Sequence, residues 1–202
     1  MNIEQLNNAK KFLLGIEDIE KLLSVSKESA HVAAARYVKN KRLFRLKRGL
    51  YITPVKFNQL PEDELFKIAN LLQTPSYVSL TTALSYYEIT TQQQRNFIES
   101  VALKRTKSFR VNNIEFTFSL VKKPLYCGFE LKNSFFIATP EKAFADSLYL
   151  TSLGRYNCDF EAIDFGKLNI QLVDDFIKRT NVLTKRFWGK ICKTYNLSKF
   201  LK

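Results

Sequence analysis

Residues 24–53 read Ser24-Val25-Ser26-Lys27-Glu28-Ser29-Ala30-His31-Val32-Ala33-Ala34-Ala35-Arg36-Tyr37-Val38-Lys39-Asn40-Lys41-Arg42-Leu43-Phe44-Arg45-Leu46-Lys47-Arg48-Gly49-Leu50-Tyr51-Ile52-Thr53. The spacing predicts a helix from Lys27 to Lys41. At 100° per residue Ala30, Ala33, Ala34 and Tyr37 share one face, with Val38 at its edge and His31 at its border. Glu28, Ser29, Val32, Ala35, Arg36 and Lys39 share the opposite face. Three alanines on a packing face let a second helix approach closely, as a helix-turn-helix requires. The period then switches to two: Phe44 and Leu46 point one way, Arg45 and Lys47 the other. Arg48-Gly49 supplies a turn and Leu50-Tyr51-Ile52 a return strand, a short β-hairpin wing. The stretch reads as a winged helix-turn-helix.

The outward helical face mixes small apolar side chains with polar and basic ones. Such a surface suits a major groove, where a thymine methyl is an apolar contact flanked by phosphates. On this reading Ser26, Ser29, Val32 and Arg36 face the bases of double-stranded DNA. Lys39, Arg45, Lys47 and Arg48 hold phosphates or reach the minor groove beside the wing, and Lys27 and Arg42 complete the DNA-binding set.

Charge supports a polyanionic partner. The 202 residues carry a net charge of +13 and 46% hydrophobic side chains, an ordinary globular composition with a strong basic excess. Ser29 to Pro61 contains no acid and eight bases: Arg36, Lys39, Lys41, Arg42, Arg45, Lys47, Arg48 and Lys56. A second acid-free basic run begins at Phe176, and Lys185, Arg186, Lys190 and Lys193 form its exposed helical face. That run is either a further contact surface or a solvated face. Cys127, Cys158 and Cys192 are too scattered for a zinc site with the single histidine, His31. Their odd number, without a signal peptide, leads to an expectation of reduced thiols in a cytoplasm. No apolar run approaches the roughly 18–20 residues of a membrane span.

The N-terminal domain is expected over residues 1–54, a helical connector over 55–76, and an α+β domain over 77–202. A first helix is predicted over residues 2–14 through Ile3, Leu6, Leu13 and Leu14. A second runs through Ile16, Ile19, Leu22 and Leu23 to Ser24, and Ser26 N-caps the third by accepting from Glu28 or Ser29. Pro61-Glu62-Asp63-Glu64 starts a connector helix with Leu65, Ile68, Ala69 and Leu72 aligned. Beyond it, Ser79–Tyr87 reads as a helix, and Phe97–Leu103, Ser108–Val111, Ile114–Val121 and Ser134–Ala138 as mainly antiparallel strands. Asn112-Asn113 forms a hairpin turn between the second and third of these. Thr139-Pro140-Glu141 opens a helix carrying Ala143, Phe144 and Leu148. Two terminal helices follow, one through Leu172, Val173, Phe176 and Ile177, the other through Leu183, Phe187, Trp188, Ile191 and Tyr195.

No catalytic constellation emerges. Glu130-Leu131-Lys132 matches half of a metal-dependent nuclease motif, but no aspartate lies between Asp63 and Asp146 to complete a cation site. His31 reads as a half-buried packing residue, with a phosphate contact as the alternative. Asp146 reads as a capping or pairing residue. Glycine loops that cradle phosphate are absent, and most aromatics sit at core spacing. No cofactor and no metal are expected, and the chain is expected not to be an enzyme.

Three stretches together resemble the AbiEi-type antitoxins of type IV abortive-infection toxin–antitoxin systems. They are Leu43–Tyr51, Tyr77-Val78-Ser79-Leu80-Thr81-Thr82-Ala83-Leu84-Ser85-Tyr86-Tyr87, and Ala138-Thr139-Pro140-Glu141-Lys142-Ala143-Phe144-Ala145-Asp146, in that order within residues 12–150. Glu88 stands where the middle block of that family usually continues into glycine. The resemblance implies a cytoplasmic autorepressor that binds inverted repeats in its own promoter, as a monomer binding cooperatively. It also implies an antitoxin opposing an AbiEii-like nucleotidyltransferase toxin without a stable complex. The alternatives are a basic protein- or RNA-interaction module without operator specificity, or a metal-dependent nuclease.

Overall fold

The structure is a computed structural model describing residues 3–200. The chain is α+β and divides into two units. One holds the described residues up to Ile68 with Val111–Asn113, the other Ala69–Arg110 with the residues from Ile114 onward. Among the described residues no helix is long and apolar enough to cross a membrane.

The first unit runs α1 (Glu4–Asn7), β1 (Leu14–Gly15), α2 (Ile16–Leu23), α3 (Lys27–Lys39), β2 (Phe44–Lys47), β3 (Leu50–Ile52) and α4 (Pro54–Phe57). The helix expected over residues 2–14 is a single turn; Asn2 lies outside the described residues. Two things cut it short. The buried Lys56 ammonium donates to the carbonyls of Ala9 and Lys11 at 2.5 and 2.6 Å, and a regular helix would need both carbonyls for itself. Leu14 instead pairs with Tyr51, so β1 adds a third strand to the hairpin in the antiparallel order β1-β3-β2.

α2 is held at its start by Asp18, whose carboxylate accepts the Gly15 amide at 2.9 Å and the Lys11 ammonium at 2.7 Å. The Lys11 bond first, then the Gly15 amide, keep that carboxyl below the usual range. α3 begins as its cap dictates, with the Ser26 hydroxyl accepting the Ser29 amide at 3.3 Å. It stops two residues before the expected Lys41. Lys41 turns left-handed (φ 55°), and Arg42 donates its amide back to the Tyr37 carbonyl at 2.8 Å, swinging the chain into the β2–β3 hairpin. Ala30, Ala33, Ala34 and Tyr37 are buried against Leu6, Leu14, Ile19 and Leu43. Leu46 is buried and Arg45 and Lys47 exposed, and Gly49 adopts the positive φ (74°) that the turn between β2 and β3 needs.

α5 (Glu62–Leu72) contains the point where the chain divides; Phe66, Ile68, Ala69 and Leu72 are buried and Leu65 half-buried. The second unit continues β4 (Ser76–Val78), α6 (Leu80–Tyr86), β5 (Phe97–Ala102), β6 (Lys107–Val111), β7 (Ile114–Leu120), β8 (Phe129–Lys132), β9 (Phe135–Ala138), α7 (Pro140–Ser152), α8 (Ile170–Lys178) and α9 (Val182–Thr194). The sheet order is β6-β7-β5-β4-β9-β8.

This sheet is mixed, which corrects the expectation of mainly antiparallel strands. β5 pairs parallel with β7 and β4 parallel with β9, while β4/β5 and β8/β9 are antiparallel. The Asn112-Asn113 turn forms, with Asn112 at φ 52°, but the second strand of its hairpin, not the first, lies beside β5. β4 and β8 were not expected as strands. β5 is half-buried at Phe97 and buried at every later position, so its sequence shows no clean alternation.

α7 starts as predicted, the Thr139 hydroxyl accepting the Lys142 amide at 3.3 Å, and is buried from Lys142 to Leu150. Leu172 and Leu183, assigned to the core by periodicity, are exposed. On α9 the Asn181 cap sets the phase: its side chain accepts the Thr184 amide at 2.9 Å, and Thr184 occupies the buried position, bonded to Ser152 at 2.7 Å. On α8 the buried set is Ile170, Val173 and Ile177, one residue away from Leu172.

Candidate nucleic-acid interface

α3 presents Glu28, Ser29, Val32, Ala35, Arg36 and Lys39 to solvent, the face expected to do so. Val32 is 70% exposed, far more than a valine with a packing role would be. A shallow depression of about 320 Å³ is lined by Glu28, Ser29, Val32, Ala33 and Arg36, so three of the predicted groove residues meet in one place. The Arg36 guanidinium sits 5.6 Å from the Tyr37 ring centroid, a cation–π contact. Ser26 is exposed, but its oxygen is engaged by the Ser29 amide and its hydroxyl donates to Ser29 Oγ at 3.3 Å, so its first role is the cap.

Glu28 was not among the predicted contacts, yet it lines the same depression. Its own backbone amide and the Ser26 hydroxyl hold its carboxyl below the usual range. The signal was legible in its place on the outward face.

His31 is exposed, which corrects the half-buried reading. Lys27 and Arg42 are exposed at the start of α3 and just beyond its end, and Arg45, Lys47 and Arg48 are exposed on the β2–β3 hairpin. Lys56 leaves the basic set: it is buried, tied to two carbonyls, and burial lowers its ammonium's pKa.

In the second unit Lys185, Arg186, Lys190 and Lys193 are all exposed on α9. Only Lys185 and Lys193 line the groove of about 410 Å³ between α8 and α9, whose floor includes Ile177, Trp188 and Cys192. Asp174 also lines it, accepting from the Trp188 indole at 3.0 Å and pairing with Lys178, so the groove is not uniformly cationic.

Two buried polar networks knit the second unit. Asp146 accepts from the Tyr77 and Ser79 hydroxyls, each at 2.9 Å, and pairs with Lys142. Burial and the adjacent Asp146 carboxylate push the Tyr77 phenol well up. The neighbouring cavity measures about 10 Å³, room for one water at most. Asp146 pairs, as expected.

The second network centres on Glu99, 3% exposed on β5. It accepts the Tyr156 hydroxyl at 3.0 Å, and that hydroxyl also meets Thr81 at 2.6 Å. Burial pushes the Glu99 carboxyl up to about 7, only partly opposed by its hydrogen bonds, and with Glu99 nearby pushes the Cys158 thiol up to about 12. Glu130 accepts from Tyr87 at 3.2 Å, and among the described residues no group of three or more His, Cys, Asp or Glu is placed to hold a metal ion. No family model and no curated protein matches the chain.

Proposed function

We propose that the chain is a DNA-binding transcriptional autorepressor and the antitoxin of a type IV toxin–antitoxin system. Its first unit is a winged helix-turn-helix, with α3 as recognition helix and β1–β3 as wing. The observation that carries this reading is the division of α3: alanines buried on one side, and Ser29, Val32 and Arg36 exposed together on the other. The exposed bases of the wing support phosphate contacts beside it. The chain binds double-stranded promoter DNA as a non-enzymatic, cytoplasmic monomer with cooperativity between copies, and opposes a nucleotidyltransferase-like toxin functionally.

The test is binding of the full chain to its upstream DNA over a range of salt. Arg45→Ala with Arg48→Ala weakens binding to every sequence and flattens the log–log salt slope by about one unit per lost phosphate contact. Unchanged affinity for that DNA would refute the wing assignment. Rescue of growth on co-expression with an adjacent nucleotidyltransferase-like gene tests the antitoxin half. The exposed bases of α9 favour a second reading, RNA or an acidic protein as ligand; it gains if Lys185→Ala and Lys193→Ala reduce RNA retention while DNA binding is unaltered.

A further inference from the structure

β8 ends the six-stranded sheet, with β9 as its only strand neighbour among the described residues. In an antiparallel pair, opposed residues alternate between exchanging both backbone hydrogen bonds and exchanging none. Two observations fix that phase here. Phe136 donates its amide to the Asn70 side chain at 2.5 Å and accepts from it at 3.4 Å, so its backbone is turned away from Leu131, which stands opposite. One step past the ladder, the Thr139 amide donates to the Gly128 carbonyl at 2.9 Å, which makes Glu130/Ile137 and Lys132/Phe135 the bonded pairs. Leu131 therefore aims its N–H and C=O at the open side of the sheet.

The side chains leave that side open. Leu131 is 65% exposed, and Phe136 opposite it 42%. Glu130 leans back to the Tyr87 hydroxyl, and the Lys132 ammonium lies 4.8 and 4.9 Å from the Tyr86 and Tyr87 ring centroids. Edge strands are ordinarily guarded by a proline, a bulge or a charge projecting across the edge. β8 has unbroken register, no proline, and both charges folded onto its own sheet face.

The tripeptide Glu130-Leu131-Lys132 is also complementary to itself when read antiparallel. We propose that β8 pairs with β8 of a second copy of this chain about a twofold axis at Leu131. Leu131 exchanges both backbone bonds with Leu131 of the second copy, and each Glu130 faces the Lys132 of the other chain on one sheet face. On the other face the two leucines meet, flanked by Phe136. The contact is small, so the pairing is weak and concentration-dependent, in keeping with a chain that is monomeric when dilute. It does not depend on the DNA-binding reading.

The test uses the full chain in a Cys127→Ser background. Leu131→Cys, treated with a short bifunctional maleimide, yields a linked dimer whose fraction rises with protein concentration, because a bonded antiparallel pair holds its Cα atoms about 5.5 Å apart. Val182→Cys, exposed on α9, reports chance collision. In sedimentation, Glu130→Lys or Lys132→Glu lowers the dimer fraction severalfold by setting like charges opposite each other, and the double exchange restores it. The proposal is overturned if Leu131→Cys links no better than Val182→Cys. It is equally overturned if the single exchanges leave self-association unchanged, or if the double exchange fails to recover it.

Discussion

Changing Glu99 to glutamine should abolish a pH dependence of stability specific to the second unit. The carboxyl is shifted from an ordinary 4.5 to about 7 by burial. Over that window the native state holds a proton that the unfolded chain has released. Stability is therefore fully present below 4.5 and falls as pH rises through 7. A shift from 4.5 to about 7 is worth about 3 kcal/mol once complete, and about 2 kcal/mol of it falls between pH 5 and pH 8. Glutamine retains an oxygen to accept the Tyr156 hydroxyl but carries no proton to lose. The assay is urea unfolding followed by the fluorescence of Trp188, the single tryptophan, which lies buried in this unit. The wild-type curve should lose about 2 kcal/mol more than Glu99→Gln between those pH values. Parallel pH profiles for the two proteins would show that the Glu99 carboxyl titrates normally in the fold, and the argument from its burial would fail.

Replacing Ser26 with alanine should cost about 1 kcal/mol of stability in the first unit, since the amide of Ser29 loses its cap; differential scanning calorimetry measures it. Lys142→Met leaves the buried Asp146 carboxylate without its cation and should cost about 3–5 kcal/mol, as chemical denaturation would show. Glu88 holds φ 56° just after α6, so Glu88→Gly should stabilise by about 1 kcal/mol, read as a raised melting temperature.

The periodic segments were legible in the sequence. α2, α3 and α7 carry both a face and a cap, and for them pattern and local chemistry agree. The outward face of α3 was legible for the same reason, and Glu28 stood on it without being counted among the contacts. What escaped depends on distant partners. β1 is two residues long and exists only because β3 offers Leu14 a partner. Lys56 reads as one more surface base until the carbonyls of Ala9 and Lys11 appear beside it. β8 hid in a stretch read for its Glu-x-Lys chemistry. The missed cue was Asn133-Ser134, two residues at positive φ (46° and 69°) that make a tight two-residue hairpin turn into β9. The glutamate on β5 broke the apolar pattern because its partner, Tyr156, comes from far along the chain.

The residues of α3 that hold the first unit together and those that meet solvent do not overlap. Substitutions at Ser29, Val32 or Ala35 should therefore shift folding stability by no more than about half a kcal/mol. A lineage can thus revise what this helix touches, one exposed position at a time, while the scaffold beneath drifts little. On the proposed DNA-binding reading, binding preference and foldability become separately heritable traits, and the first can diverge rapidly between related chains that share the second.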